Sequence, residues 1–213
     1  MDTGGISCIS KIFGIGCLHI FSVNCHHNFL WLFMISEEFQ IISENGIYLN
    51  IKTWLPETSP RAIVCMVHDL GEHAERYKHF APIFTAKELG IYILDLRCHG
   101  HSEGKRGAGN LSAYISDVQE LITTARRDYN DLPIFLFGHG LGGLLVASYL
   151  AKMVSREISG AILSSPWLEL AITIPKLKYR LASALKPIFP TMTFSNGIDA
   201  NELANNPAVG EKY

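Results

Sequence analysis

The sequence predicts an α/β fold, a mostly parallel sheet with helices on both of its faces. Two observations lead there. The runs Ala62–Val67, Ile91–Leu96, Ile134–His139 and Gly160–Ser165 have the shortness and apolar character of strands buried on both sides. Between them lie apolar residues at helical spacing, and strands that alternate with helices build a parallel sheet covered on two faces. The totals agree. A chain of 213 residues, 48% hydrophobic and 18% charged, can bury the core of one sizeable domain.

Taken in order, "FQIISENGIYLNIKTWLP" (Phe39–Pro56) reads as two strands joined at Asn45-Gly46, a pair that accepts the positive φ angles of a tight hairpin. Pro56 to Pro60 is a loop before the strand Ala62–Val67. Tyr77, Phe80, Ala81, Phe84 and Leu89 then fall near helical spacing. After Ile91–Leu96 a glycine-rich loop runs to Gly109. Leu111, Tyr114, Ile115, Val118, Leu121, Ile122 and Ala125 keep a 3.6-residue period. The strand Ile134–His139 turns sharply into an apolar helix from Leu141, and Gly160–Ser165 is the last strand expected. Beyond Pro166, the prolines 175, 187, 190 and 207 separate amphipathic pieces. The organisation expected is an apolar extension over 1–37, disordered or anchoring, a core over 38–165 and a cap-like segment over 166–213.

A formal net charge of -2 gives no basis for a nucleic-acid partner. The five cysteines (8, 17, 25, 65 and 98) are odd in number and scattered, which favours reduced thiols and a cytoplasmic location over a disulfide framework. Residues 12–36 hold no Asp, Glu, Lys or Arg and are long enough to meet a membrane, which makes membrane association the alternative. His19, Asn24, His26, His27 and Asn28 interrupt that stretch, and each is costly in hydrocarbon.

Three loops and one turn carry the chemistry. "VHDLGEHAERY" begins at Val67, "DLRCHGHSEGKRG" at Asp95, "PIFLFGHGLGG" at Pro133 and "LSSPWLEL" at Leu163. Together they resemble the monoacylglycerol lipase and lysophospholipase branch of the α/β-hydrolases, of the serine aminopeptidase S33 type. That branch reads H-G-x-G-E-H-x-x-R-Y, D-x-R-G-H-G-x-S-x-G-x-R-G and G-H-S-M-G-G in the first three. The matching positions are His68, Gly71, Glu72, His73, Arg97, His99, Gly100, Gly138, His139, Gly142 and Gly143. The resemblance covers roughly Phe39 to Tyr213. It implies an ester hydrolase without metal or organic cofactor, using a Ser on a strained elbow, a His base, an orienting Asp and backbone N–H donors for the oxyanion. Those donors map to Leu70 and Leu141. Gly138 and Gly142 would be required because strand and helix cross closely there.

The chain departs from this pattern at several places. Gly140 stands at the nucleophile position and offers no oxygen, while relieving about 1–3 kcal/mol of elbow strain. None of the nine histidines follows His139, and Asp199 is the only Asp after the elbow, so no triad partner maps onto this sequence. Asp69 replaces a glycine beside the first oxyanion donor. A carboxylate about 6 Å from a developing oxyanion would cost roughly 3 kcal/mol at an effective dielectric near 20. Cys98 replaces another family glycine.

Blander assignments cover the rest. "GHGLGG" lacks the spacing of a phosphate-binding turn. Cys98, His99 and His101 could suggest a metal, but the family loop already explains both histidines, and Ser102 and Ser165 lack a base to make them stand-in nucleophiles. The expectation is therefore an incomplete α/β-hydrolase fold, a lipase-type homologue without catalytic equipment. The alternatives are a non-catalytic protein that binds acyl lipid or a partner, and an active enzyme whose true sequence is longer with Ser at 140. The last two sheet strands are expected to be missing, which would leave Gly160–Ser165 as an edge open to self-association.

Overall fold

The fold is known from a computed structural model, which describes residues 34–105, 109–152, 158–169 and 176–185. Six strands form one sheet in the order β1-β2-β4-β3-β5-β6. The hairpin β1 (Met34–Ile42) and β2 (Tyr48–Pro56) is antiparallel, turning at Gly46 with φ 73°, and β2 runs antiparallel to β4 (Leu89–Leu94). From there β3 (Ala62–Val67), β4, β5 (Ile134–His139) and β6 (Ile158–Ser164) are parallel. The mostly parallel sheet expected from the apolar runs is present. β1 starts at Met34, within the stretch set apart as an extension.

Core residues lie on both sheet faces, as the unbroken apolar runs require. All six residues of β3 are buried. On one face Ile63, Cys65, Val67, Leu94 and Leu136 pack against Val118, Leu121 and Ile122 of α2 (Leu111–Asp128) and Leu145, Val146 and Tyr149 of α3 (Leu141–Lys152). On the other, Val64, Met66, Ile91 and Ile93 meet Trp54, Tyr77 and Ala81. Asn110 caps α2 by accepting a hydrogen bond from the Ala113 N–H at 2.9 Å.

Three readings need correction. The residues from Tyr77 to Leu89 do not form one helix. A 3-10 segment, Ala74–Phe80, gives way to the short α1 (Ala81–Thr85), and Leu89 already opens β4. Tyr77 and Phe80 still meet because residues three apart eclipse in a 3-10 segment, and Phe84, four residues on at the α-helical spacing, contacts Phe80 with ring centroids 6.1 Å apart. β4 and β6 each begin two residues before the sequence-based expectation, at Leu89 and Ile158, and end at Leu94 and Ser164. In the cap-like region α4 covers Lys176–Leu185. Residues 12–33 of the apolar stretch, Asp199 and the cysteines 8, 17 and 25 lie outside the described residues. No helix among the described residues is long and apolar enough to cross a membrane.

Candidate active site

The elbow forms where β5 runs into α3. Gly140 is buried with φ 54°, the left-handed conformation expected of a nucleophile turn. Its N–H donates to the Ser164 carbonyl at 3.0 Å, and its carbonyl accepts from the Leu144 and Trp167 N–H groups at 3.2 and 3.1 Å. The flanking glycines are there for space. A Cβ on Gly138 would overlap the Gly142 carbonyl, and one on Gly142 would overlap the Val67 carbonyl of the neighbouring strand. A Cβ on Gly143 would press on Pro166 at 3.0 Å.

The expected oxyanion donors, Leu70 and Leu141, do converge. They converge on Asp69. Its Oδ1 accepts from the Leu141 N–H at 2.6 Å and from the Leu70 N–H at 2.7 Å. A Cβ on Gly140 would overlap this same carboxylate. The sequence-based expectation of a charge standing some ångströms from the oxyanion position is therefore corrected. The carboxylate sits on the donors and in the space of the side chain missing at 140.

The remaining motif residues shape the two loops that frame the elbow. His68 is fully buried; its Nδ1–H donates to the Asp69 carbonyl at 2.6 Å and its Nε2 accepts from the Leu96 N–H at 3.0 Å. Burial drives its pKa down to about 4, so the ring is neutral. Gly71 turns the first loop at φ 77°. Glu72 accepts from the Tyr77 hydroxyl at 2.7 Å and pairs with Arg76 at 3.3 Å. His73 precedes the 3-10 segment and makes no side-chain cap.

In the second loop, Arg97 reaches away from the elbow to Asp117 on α2. His99 Nδ1 meets the Arg97 carbonyl at 3.0 Å. Gly100, at φ 50°, leaves room for the Asp95 carboxylate, which a Cβ would overlap. Cys98 also has a positive φ, 68°, which supplies a reason for the family glycine there. His101 faces Glu38 at 2.8 Å rather than His99. Among the described residues no group of three or more His, Cys, Asp or Glu could hold a metal. Ser102 is structural, its hydroxyl donating to the Asp95 carbonyl at 2.6 Å and accepting from the Asn50 N–H at 2.8 Å. Ser165 has φ 45° beside the elbow. The Cys65 thiol is buried and pushed up to about 12 by desolvation, which leaves it inert.

Two features escaped sequence reasoning. Asp95 is a hub, taking the Ala74 N–H on Oδ1 at 2.6 Å, and the His101 N–H and Asn50 amide on Oδ2 at 2.9 and 3.1 Å. Its place at the head of the second loop was the available signal. The other is a cavity of about 280 Å³ beside the elbow, lined by Tyr77, Phe80 and Phe137 together with Glu72, His139 and Ser164. There His139 Nδ1 lies 3.0 Å from the Ser164 hydroxyl. These residues come from separate loops and strands, so no sequence spacing announces them.

Strand order, elbow and converging donors define a lipase- or esterase-like α/β-hydrolase. The family model described as serine aminopeptidase, S33, matches residues 58–213, and the chain belongs to that family. It is 34% identical over 169 residues to a monoacylglycerol lipase of Mycolicibacterium smegmatis, covering 79% of this chain and 60% of that one. It is 33% identical over 178 residues to the monoglyceride lipase of Mus musculus, covering 81% of this chain and 57% of the relative. The crystal structure of the Paleococcus ferrophilus monoacylglycerol lipase superposes with a TM-score of 0.62 at 30% identity, covering 84% of this chain and 61% of that one. The chain thus spans about three-fifths of the length of these lipases.

Proposed function

We propose that this chain is a monoacylglycerol-lipase-like homologue that does not itself hydrolyse esters. The observation that carries this reading is Gly140, a residue without a side chain at the apex of an otherwise complete elbow. Acyl transfer needs an oxygen at that apex and a base within hydrogen-bond reach of it. The expected outcome is no turnover of monoacylglycerol or short-chain p-nitrophenyl esters above a weak background from binding alone. A rate abolished by a fluorophosphonate, with the label mapped to Ser102, Ser164 or Ser165, would overturn the reading.

A second reading is non-catalytic binding of acyl lipid, favoured by the cavity beside the elbow. The rings of Phe80 and Phe137 stand 5.9 Å apart there and Tyr77 stacks on Phe80 at 6.0 Å, aromatic surface for a hydrocarbon chain within a lining that also holds the polar groups of Glu72, Arg76, His79, His139 and Ser164. Saturable binding of a fluorescent monoacylglycerol, weakened by Phe137→Asp, would support it. Binding unchanged by that substitution would remove the cavity from consideration.

A further inference from the structure

We propose that Asp69 locks the elbow, barring both a side chain at position 140 and any carbonyl or carboxylate group from the Leu70 and Leu141 donors. This deepens the reading of the elbow as non-catalytic and rests on it. The two effects have one cause. The Asp69 carboxylate takes both N–H groups, at 2.7 and 2.6 Å, and fills the volume that a Cβ on residue 140 would need.

The arrangement is held from several sides. The Asp69 carbonyl accepts hydrogen bonds from the Nδ1–H of buried His68 at 2.6 Å and from the Glu72 N–H at 3.2 Å. Helix α3 presents its positive end, through the Leu141 N–H, to the same carboxylate oxygen. Asp69 therefore supplies in cis the anion that this pair of donors would otherwise take from a ligand. An acyl lipid in the adjoining cavity would have to lie with its carbonyl away from the elbow, along Phe80 and Phe137.

A double-mutant cycle on the full chain tests this. Gly140→Ala is made in three backgrounds, the parent, Asp69→Gly and Asp69→Asn, and melting temperatures are compared. Strain from the positive φ at 140 is common to all three and cancels in the comparison. The expected result is a large loss from Gly140→Ala in the parent and in the equally bulky Asp69→Asn background. At least roughly half of that loss should be recovered in the Asp69→Gly background. If Gly140→Ala fails to fold in the parent but folds with Asp69→Gly, the lock is equally supported. An equal loss in all backgrounds, or failure to fold in all, overturns the lock.

Sodium formate supplies a second readout. It should raise the melting temperature of Asp69→Gly more than sodium chloride at equal ionic strength, and should show no such preference with the parent chain. Equal responses in the two chains would overturn the claim that Asp69 holds the donors. Ester turnover by the parent would sink the non-catalytic reading, whereas additivity in the cycle would sink the lock alone.

Discussion

Arg97 grips Asp117 through two parallel hydrogen bonds, Nε to Oδ2 at 2.6 Å and Nη2 to Oδ1 at 2.5 Å, with both side chains buried. This fork ties the loop that follows β4 to α2. Burial pushes the Asp117 carboxyl above its usual range, and the guanidinium opposes that rise. Removing one partner would strand the other charge in the interior. Asp117→Ala should therefore lower stability by about 3–5 kcal/mol, while Arg97→Met with Asp117→Leu should recover much of it. Urea unfolding of both variants checks this; a loss under about 1 kcal/mol for Asp117→Ala would mean that water reaches the pair.

The glycines at the strand–helix crossing make a second prediction. Gly142→Ala would drive a methyl group into the Val67 carbonyl, and Gly138→Ala would drive one into the carbonyl of Gly142. Backbone cannot yield there as a side chain would. Each change should cost about 3 kcal/mol or more, enough to depress the melting temperature sharply. Near-normal melting of either variant would show that strand and helix can separate.

His68 sets a pH dependence. Its folded pKa, about 4, lies below the ordinary value of 6.5, because desolvation disfavours the charged ring. The native state therefore takes up its proton later than the unfolded chain. The stability held at neutral pH is full above about 6.5 and declines as pH falls toward 4, by a total of about 3 kcal/mol. His68→Gln does not titrate and its amide oxygen can still accept from the Leu96 N–H. Melting curves from pH 7 to pH 4 should thus fall less steeply for the variant, and parallel curves would place the acid sensitivity elsewhere.

Much of the scaffold could be read from residue types alone. β3 matched the sequence-based expectation because a strand buried on both faces admits no polar residue inside it, and β5, fully buried only at alternate residues, is bounded by Pro133 and the turn at Gly140. Gly138 and Gly142 were legible through the family resemblance, which implies a close strand–helix crossing there, and the overlaps a Cβ would meet at both positions agree with it. The 3-10 segment at Ala74–Phe80 was not, since periods of 3.0 and 3.6 cannot be separated over two turns. The position of the Asp69 carboxylate was also beyond reach. Its presence beside a donor was visible in the sequence, but a single rotamer decides whether it repels an oxyanion or takes its place.

The final prediction concerns the sheet edge. β6 pairs with β5 on one side, and among the described residues no strand pairs with the other. Within Ile158–Ser164 there is no Lys, Pro or other charged residue to discourage pairing. Ile162 and Leu163 are 54% and 42% exposed, and Trp167 and Leu168 continue the apolar surface at 40% and 71%. A short apolar edge that faces no further strand among the described residues can template one, and the neighbouring patch adds hydrophobic attraction. We therefore expect the purified full chain to associate with itself through β6. Light scattering behind size-exclusion should show oligomers, and Ile162→Lys should shift the population toward monomer because a buried ammonium in a dimer sheet is costly. A monodisperse parent monomer, or oligomers indifferent to the lysine, would remove β6 as the contact.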